Sequence, residues 1–413
     1  MSLFSTDNTT FSHTQRGIAK AALPALPYPT TKSEEWKFTS LKGILDTKYE
    51  IPTSNTSKNV AICCIPNSDA HTLLFVNGKF HSACLNSKEK EKFVLKTWQE
   101  LDETDKKHIE SYFSSNISPK KDIFTAWNTA YFEEGVYICV PEKTVITTPI
   151  HIQHLTDSAE NIAFQHRNLV IVGRESSVKV IETQHSTGKS HTLCNAVTEI
   201  FVGEQASIEY IKIQAEGDKA SHIESTILTQ KGKSKAMLFA FSFSGEVVRN
   251  NLTVNLEGKH IESNLYGSYL LSGSQHVDNH TEVHHKQPNC YSNELYKGII
   301  KDTATGVFNG KIHVYPDAQK TNAYQSNRNI LLSDGANIYT KPQLEIYADD
   351  VKCSHGATTG QMNEEAMFYL QARGISKENA RNLLINAFAA EVTEHISVEY
   401  VQKYVVDLIE KRF

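Results

Sequence analysis

Val172-Gly173-Arg174-Glu175-Ser176-Ser177-Val178 and Val202-Gly203-Glu204-Gln205-Ala206-Ser207-Ile208 lie 30 residues apart and follow one pattern: Val-Gly, two polar residues, a small pair and a β-branched residue. Self-similarity at such a period marks repeat architectures, in which each unit buries its apolar side by stacking on its neighbour. A turn followed by an inward-facing apolar residue is being repeated.

Outward from this pair, the region from about Gly135 to Gln361 consists of short runs rich in Val, Ile, Tyr and Thr, separated by Gly, Asn, Asp and Ser. Ser207-Ile208-Glu209-Tyr210-Ile211-Lys212-Ile213 alternates polar and apolar residues, the period of a strand with one buried face. Looser echoes of the turn occur at Leu256–Ile261, Phe308–Ile312 and Ser333–Ile338. Short strands punctuated by turns suit a sandwich, a jelly roll, a propeller or a solenoid. The imperfect repeat favours a parallel β-helix, whose inward side chains form one continuous core while the outward ones stay polar.

The flanks read differently. Lys32–Leu45 carries Trp36, Phe38 and Leu41 on a short amphipathic stretch, and charge-rich Lys88–Phe113 reads as helical from Phe93, Leu95, Trp98 and Leu101. Between them, Asn77-Gly78 separates apolar runs within Leu73–Leu85, which predicts a hairpin because both central residues of a type I′ turn need positive φ. Beyond Gly360, Asn363, Ser376 and Ser397 read as N-caps of three helices, with Gly374 as a left-handed C′ residue. This tail is too short to fold alone and is expected to pack on the solenoid or on a partner. The expected chain is mainly β: a mixed α/β cap over 1–134, a β-helix core over 135–361 and a helical region over 362–413.

The 413 residues carry 42 Lys plus Arg against 47 Asp plus Glu, a net charge of -5, so no overall basic field draws the chain to nucleic acid or anionic lipid. Seven cysteines (Cys63, Cys64, Cys84, Cys139, Cys194, Cys290 and Cys353) are scattered without repeated spacing, which suits a reducing compartment. Met1 to Gln15 is polar and lacks signal-peptide order, and no apolar run approaches the ~20 residues of a membrane span. A cytoplasmic protein is expected.

No phosphate-binding loop, dinucleotide fingerprint, zinc-protease helix or nucleophile elbow occurs, so the chain does not read as an enzyme. Asp349-Asp350 is an adjacent acidic pair of the kind a polysaccharide-active β-helix needs, but neighbouring strand residues face opposite ways, and turn chemistry explains it equally. His276, His280 and His284, near His285 and Cys290, recur every four residues and offer imidazoles to a metal or to a hydrogen-bonded strand face. Cys353-Ser354-His355-Gly356-Ala357-Thr358 is the sharper candidate. On a strand Cys353 and His355 face the same way, one thiol and one imidazole from a rigid element. Two ligands make half a metal site, to be completed by substrate or another chain.

The run from Tyr347 through Ile375 (YADDVKCSHGATTGQMNEEAMFYLQARGI) resembles the C-terminal signature of the SufB/SufD family of iron–sulfur cluster assembly scaffolds, in the form of its SufD branch. Lys32–Thr39 (KSEEWKFT) and His285–Gly298 (HKQPNCYSNELYKG) are similar to that branch's N-terminal and central signatures, so the resemblance spans nearly the whole chain. It implies a right-handed parallel β-helix with flanking helical regions and a noncatalytic role. It further implies pairing with SufB through the β-helix ends and binding of the SufC ATPase by the C-terminal helices, which accounts for the missing phosphate loop. His355 then lies at the SufB interface, with Cys353 beside it, where a nascent cluster assembles; SufB supplies the thiolates that this chain lacks. The resemblance also implies that any flavin is bound by the assembled complex, and no motif of this chain localises it. Competing readings are a polysaccharide-active β-helix enzyme and a homodimeric structural solenoid; a homodimer of the isolated chain does not decide between the readings, because an unpaired β-helix end can self-associate.

Overall fold

The computed structural model describes residues 13–63, 65–86 and 88–412. Most of the polar N-terminal stretch and Cys64 lie outside them. Among the described residues the strands form a ten-stranded and a nine-stranded sheet, and from Val136–Val140 onward successive strands alternate from one sheet to the other. From Ile150–Thr156 to Lys352–Gln361 every pairing is parallel and in continuous register. The chain is a parallel β-solenoid.

The repeat that opened the sequence is the turn between the sheets. Lys143, Glu175, Gln205, Lys233, His260, Asn289 and Lys320 occupy equivalent corners with φ of 56–61°. Left-handed backbone costs a non-glycine residue roughly 1–2 kcal/mol. At every one of these corners but His260 the strained residue donates its N–H to the next coil, as Glu175 does to Glu204 O at 2.9 Å and Gln205 to Gly232 O at 2.9 Å. The Val-Gly glycine precedes this corner because coils pass too close for a side chain: a Cβ on Gly173 would lie 2.6 Å from Glu142 N, and one on Gly203 2.8 Å from Arg174 N.

Inward residues alternate along each strand and fuse into one core, from Ile150, Val172 and Val178 through Leu238 and Tyr269 to Ile312 and Ala323. Opposite residues are apolar as well where helices cover the sheets. Lys377–Thr393 and Glu399–Glu410 bury Ile385, Ala389, Val401 and Val405 against Ile211, Phe241 and Leu270 of the ten-stranded sheet. Ile123–Tyr131 does the same for the nine-stranded sheet, setting Phe124 and Trp127 on Ala163, Leu193 and Ile223. The helical tail therefore packs on the solenoid.

Several local expectations hold. His71–Val76 and Lys79–Cys84 form the antiparallel hairpin, with φ of 51° at Asn77 and 73° at Gly78. Asn363 and Ser376 cap their helices, and Gly374 has φ 86°. Three expectations fail. Lys88–Phe113 is not one helical run: Val94–Thr97 is a strand, and only Glu103–Ile109 is α-helical. Phe308–Ile312 lies inside the strand Thr305–Val314 and is no turn; Gly310 stands there because a Cβ would meet Gln325 Nε2 at 2.3 Å. Ser397 does not cap the third helix, whose N-cap is Val398, because its backbone N–H and hydroxyl are both held by the Glu209 carboxylate. Among the described residues no helix is long and apolar enough to cross a membrane.

Candidate functional site: the open end of the solenoid

Lys352–Gln361 is the edge strand of the ten-stranded sheet, and Asn337–Ile346 is the edge of the nine-stranded one. Both lie in the last coil. Cys353 is in register with Ala323 and His355 with Gln325, and these two partners are buried inward residues. Cys353 and His355 therefore belong to the inward column, yet no further coil stacks on them. Cys353 is partly covered by the core, while His355 is exposed. The alternation that buries such positions elsewhere turns outward-looking at the last layer.

The column beneath His355 is polar. Gln325 Nε2 donates to Glu294 Oε2 at 2.7 Å, and Glu294 is in register with Gln325 one coil further in. At about 4.8 Å per strand, Glu294 sits roughly two spacings below the imidazole. Burial pushes Glu294 up to about 7, against the lowering by hydrogen bonds from Thr281 and Gln325. Its Oε1 makes no well-formed hydrogen bond among the described residues. Burial also raises the Cys353 thiol, only partly offset by the Ala323 backbone. It is thus no ready thiolate, and ligation would require a metal to displace its proton. An added Cβ at Gly356 would meet nothing within 4 Å, so the edge beside His355 is unobstructed.

The other sequence candidates are placed differently. His276 and His280 face outward and are engaged by the Lys32–Thr39 segment: Thr39 Oγ1 lies 2.9 Å from His276 Nε2 and donates to Asp278, while Glu35 pairs with His280 Nδ1 at 3.2 Å. Arg249 closes this cluster, donating to Glu35 O at 2.7 Å and lying 4.5 Å over the Trp36 ring. His284 sits 3.6 Å from Glu282, and His285 is a buried hydrogen-bond partner of Ser292 at 2.8 Å. His276 and His280 thus belong to a seam that fastens the N-terminal segment to the solenoid, while His284 packs beside His313 and Tyr315. Cys290 is buried and donates to Gly258 O at 3.1 Å. Asp349 and Asp350 lie in the last turn, where the Asp350 carbonyl accepts from Lys320 N and its N–H donates to the Gln319 side-chain Oε1.

Glu294 and Gln325 were not legible as site residues. Their signal is their place in register below His355, which requires the coil lengths after residue 290 to be known.

A β-solenoid whose last layer is unpaired and presents ligand-type side chains is a scaffold-type architecture. Residues 154–388 match the family model for the SufBD core domain of the SUF system of iron–sulfur cluster assembly, and residues 2–152 that for the SufBD N-terminal region. The chain belongs to the SufBD family of iron–sulfur cluster assembly proteins and is of its SufD type. It is 31% identical to an iron–sulfur cluster assembly SufBD family protein of Synechocystis, over 96% of this chain and 90% of that protein. It is 28% identical to the iron–sulfur cluster assembly protein SufD of Escherichia coli, over 93% of this chain and 89% of the relative. Against SufD of Bacillus subtilis it is 27% identical, over 94% and 90%.

Proposed function

We propose that this chain is the noncatalytic SufD-type subunit of a cytoplasmic complex with a SufB-type scaffold and a SufC-type ATPase, and that its open end meets the SufB-type chain. One observation carries this reading: Cys353 and His355 lie on the inward column of an unpaired terminal strand, so the site is incomplete without a second chain. Two ten-residue edges at the same end offer free N–H and C=O groups for strand addition. Without its partner, the isolated chain would pair with a second copy there.

At that junction iron and sulfide are cargo. A neutral imidazole of His355 offers a nitrogen lone pair to iron, a borderline acceptor that suits it, and Cys353 lies two residues away. Thiolates from the SufB-type chain would complete the set, and any flavin would be bound by the assembled complex. The ATPase would dock on the helical tail, where Phe368 (74% exposed), Tyr369 and Leu383 leave apolar surface uncovered. A groove of about 530 Å³ lies between these helices and the last coil, lined by Leu332, Met367, Phe368 and Arg381. Nucleotide-driven movement of the tail would thus act beside the open end.

The test is anaerobic reconstitution with SufB- and SufC-type partners. His355→Ala should assemble normally but lose most of its iron and acid-labile sulfide. Undiminished cluster content contradicts the role of His355.

A further inference from the structure

Deep inside the solenoid, near its opposite end, His154, His166 and Glu182 come from three successive strands and converge. Their ligand atoms all lie within 4.8 Å of one another, and all three residues are buried. Glu182 Oε1 is 3.2 Å from His154 Nε2 and 3.6 Å from His166 Nε2. The ligand–ligand edge of a tetrahedral site with bonds of about 2.0–2.1 Å is about 3.3 Å.

The three atoms are otherwise unused. His154 Nε2, His166 Nε2 and Glu182 Oε1 are buried and make no well-formed hydrogen bond, and neither does His154 Nδ1. An orphaned buried polar atom costs about 1–3 kcal/mol, and here several face one point. The surrounding groups fix the ligands from behind. Tyr210 donates its hydroxyl to the other carboxylate oxygen, Oε2, at 2.5 Å, and Cys194 Sγ lies 3.6 Å from His166 Nδ1. The His154 ring is stacked between Phe75 and His166, at centroid distances of 5.3 and 4.2 Å. Such backing orients ligands in metal sites.

Charge points the same way. The nearby ammonium of Lys212 is already paired with Glu224, which also meets His222 Nε2 at 3.1 Å. Among the described residues no Lys or Arg lies within ion-pair distance of the Glu182 carboxylate, which meets only the two imidazoles and the Tyr210 hydroxyl.

We propose that His154, His166 and Glu182 form an internal binding site for one divalent first-row transition-metal ion of the Zn²⁺ or Fe²⁺ class. Two imidazoles and a carboxylate suit that class and leave a coordination position for water. The site is separate from Cys353 and His355 and takes no ligand from a second chain, so it stands whether or not the open end binds a cluster.

The experiment uses the full chain carrying Cys353→Ser and His355→Ala, refolded anaerobically with Co²⁺ as the probe so that access to the interior does not limit loading. One equivalent of tightly held Co²⁺ is expected, with visible d–d absorption of a low-symmetry site and X-ray absorption showing imidazole and oxygen but no sulfur ligation. Glu182→Gln should weaken retention at least about tenfold, a loss typical of disturbed metal sites. His154→Phe keeps a ring between Phe75 and His166 and should do the same. Absence of retained Co²⁺ in the refolded parent, sulfur ligation, or equal retention in a folded Glu182→Gln or His154→Phe chain would overturn the proposal.

Discussion

The two ends of the solenoid meet the same physical problem and meet it differently. At the N-terminal end the sheets stop on Lys79–Cys84 and Val94–Thr97, six and four residues long, both antiparallel to their neighbours, one with a register shift at Leu74/Phe75. Trp98, Ile109, Phe113 and Phe132 then pack on Tyr137, Leu169 and Ile171. Short, irregular edges, here with the nine-stranded sheet covered as well, are the usual protection against unwanted pairing. At the C-terminal end two regular ten-residue strands simply stop, with Ile346 and Tyr347 exposed beside them. An end left in that state is suited to association. The closed end is built for stability, and the open end leaves its last layer uncovered.

That contrast makes distinct predictions for the two ends. The largest effect is expected near the closed end. Arg167 is fully buried, pairs with Glu199, and donates to Ser114 Oγ at 3.0 Å and Thr129 Oγ1 at 3.2 Å. Arg167→Met strands the buried Glu199 carboxylate and should cost about 3–5 kcal/mol in urea unfolding. A cost below ~1 kcal/mol would mean that this end is not stabilised as described.

A second prediction concerns the column under His355. Glu294, raised by burial to about 7 from 4.5, keeps a proton in the folded chain that the unfolded chain releases. Stability should therefore fall as pH rises through that window and level off above it. Glu294→Gln should remove this decline, gaining up to about 3 kcal/mol on wild type between pH 4 and 8. Parallel pH profiles for the two proteins would show that Glu294 ionises normally.

Mid-solenoid, Gly267→Ala puts a Cβ 2.2 Å from the buried Tyr296 ring and should cost about 1–3 kcal/mol. At the open end, Ala357→Lys adds a charge to an exposed position on the last coil. It should weaken association with the SufB-type partner at least about tenfold, read by analytical ultracentrifugation, while leaving the unfolding midpoint in place. Cys353→Ser should change stability least, by less than about 0.5 kcal/mol. A large loss there would make Cys353 a core residue and blur the distinction between the ends.

The solenoid was legible because its turns are costly. Glycines at 173 and 203 and left-handed corners at 175 and 205 restrict which residues fit, and the restriction recurs each coil. Cys353 and His355 were legible as same-face partners because a strand's side chains alternate. What stayed hidden depends on distant residues. Gly310 looks like a turn glycine, but its reason is Gln325 in the facing layer; Ser397 looks like a cap, but Glu209 claims it across 188 positions. Glu182 and Lys212, 30 residues apart and in register, obey the same shift that revealed the turns. Read along the inward column, that shift exposes a polar interior that apolar patterning alone passes over.

The central claim is that the open end is the surface completed by the SufB-type partner, and amide hydrogen exchange with and without that partner tests it most directly. The account predicts new protection along Asn337–Ile346 and Lys352–Gln361, with Lys79–Cys84 and Val94–Thr97 unchanged. Protection at the N-terminal edges, with the last coil exchanging as freely as in the isolated chain, would contradict it.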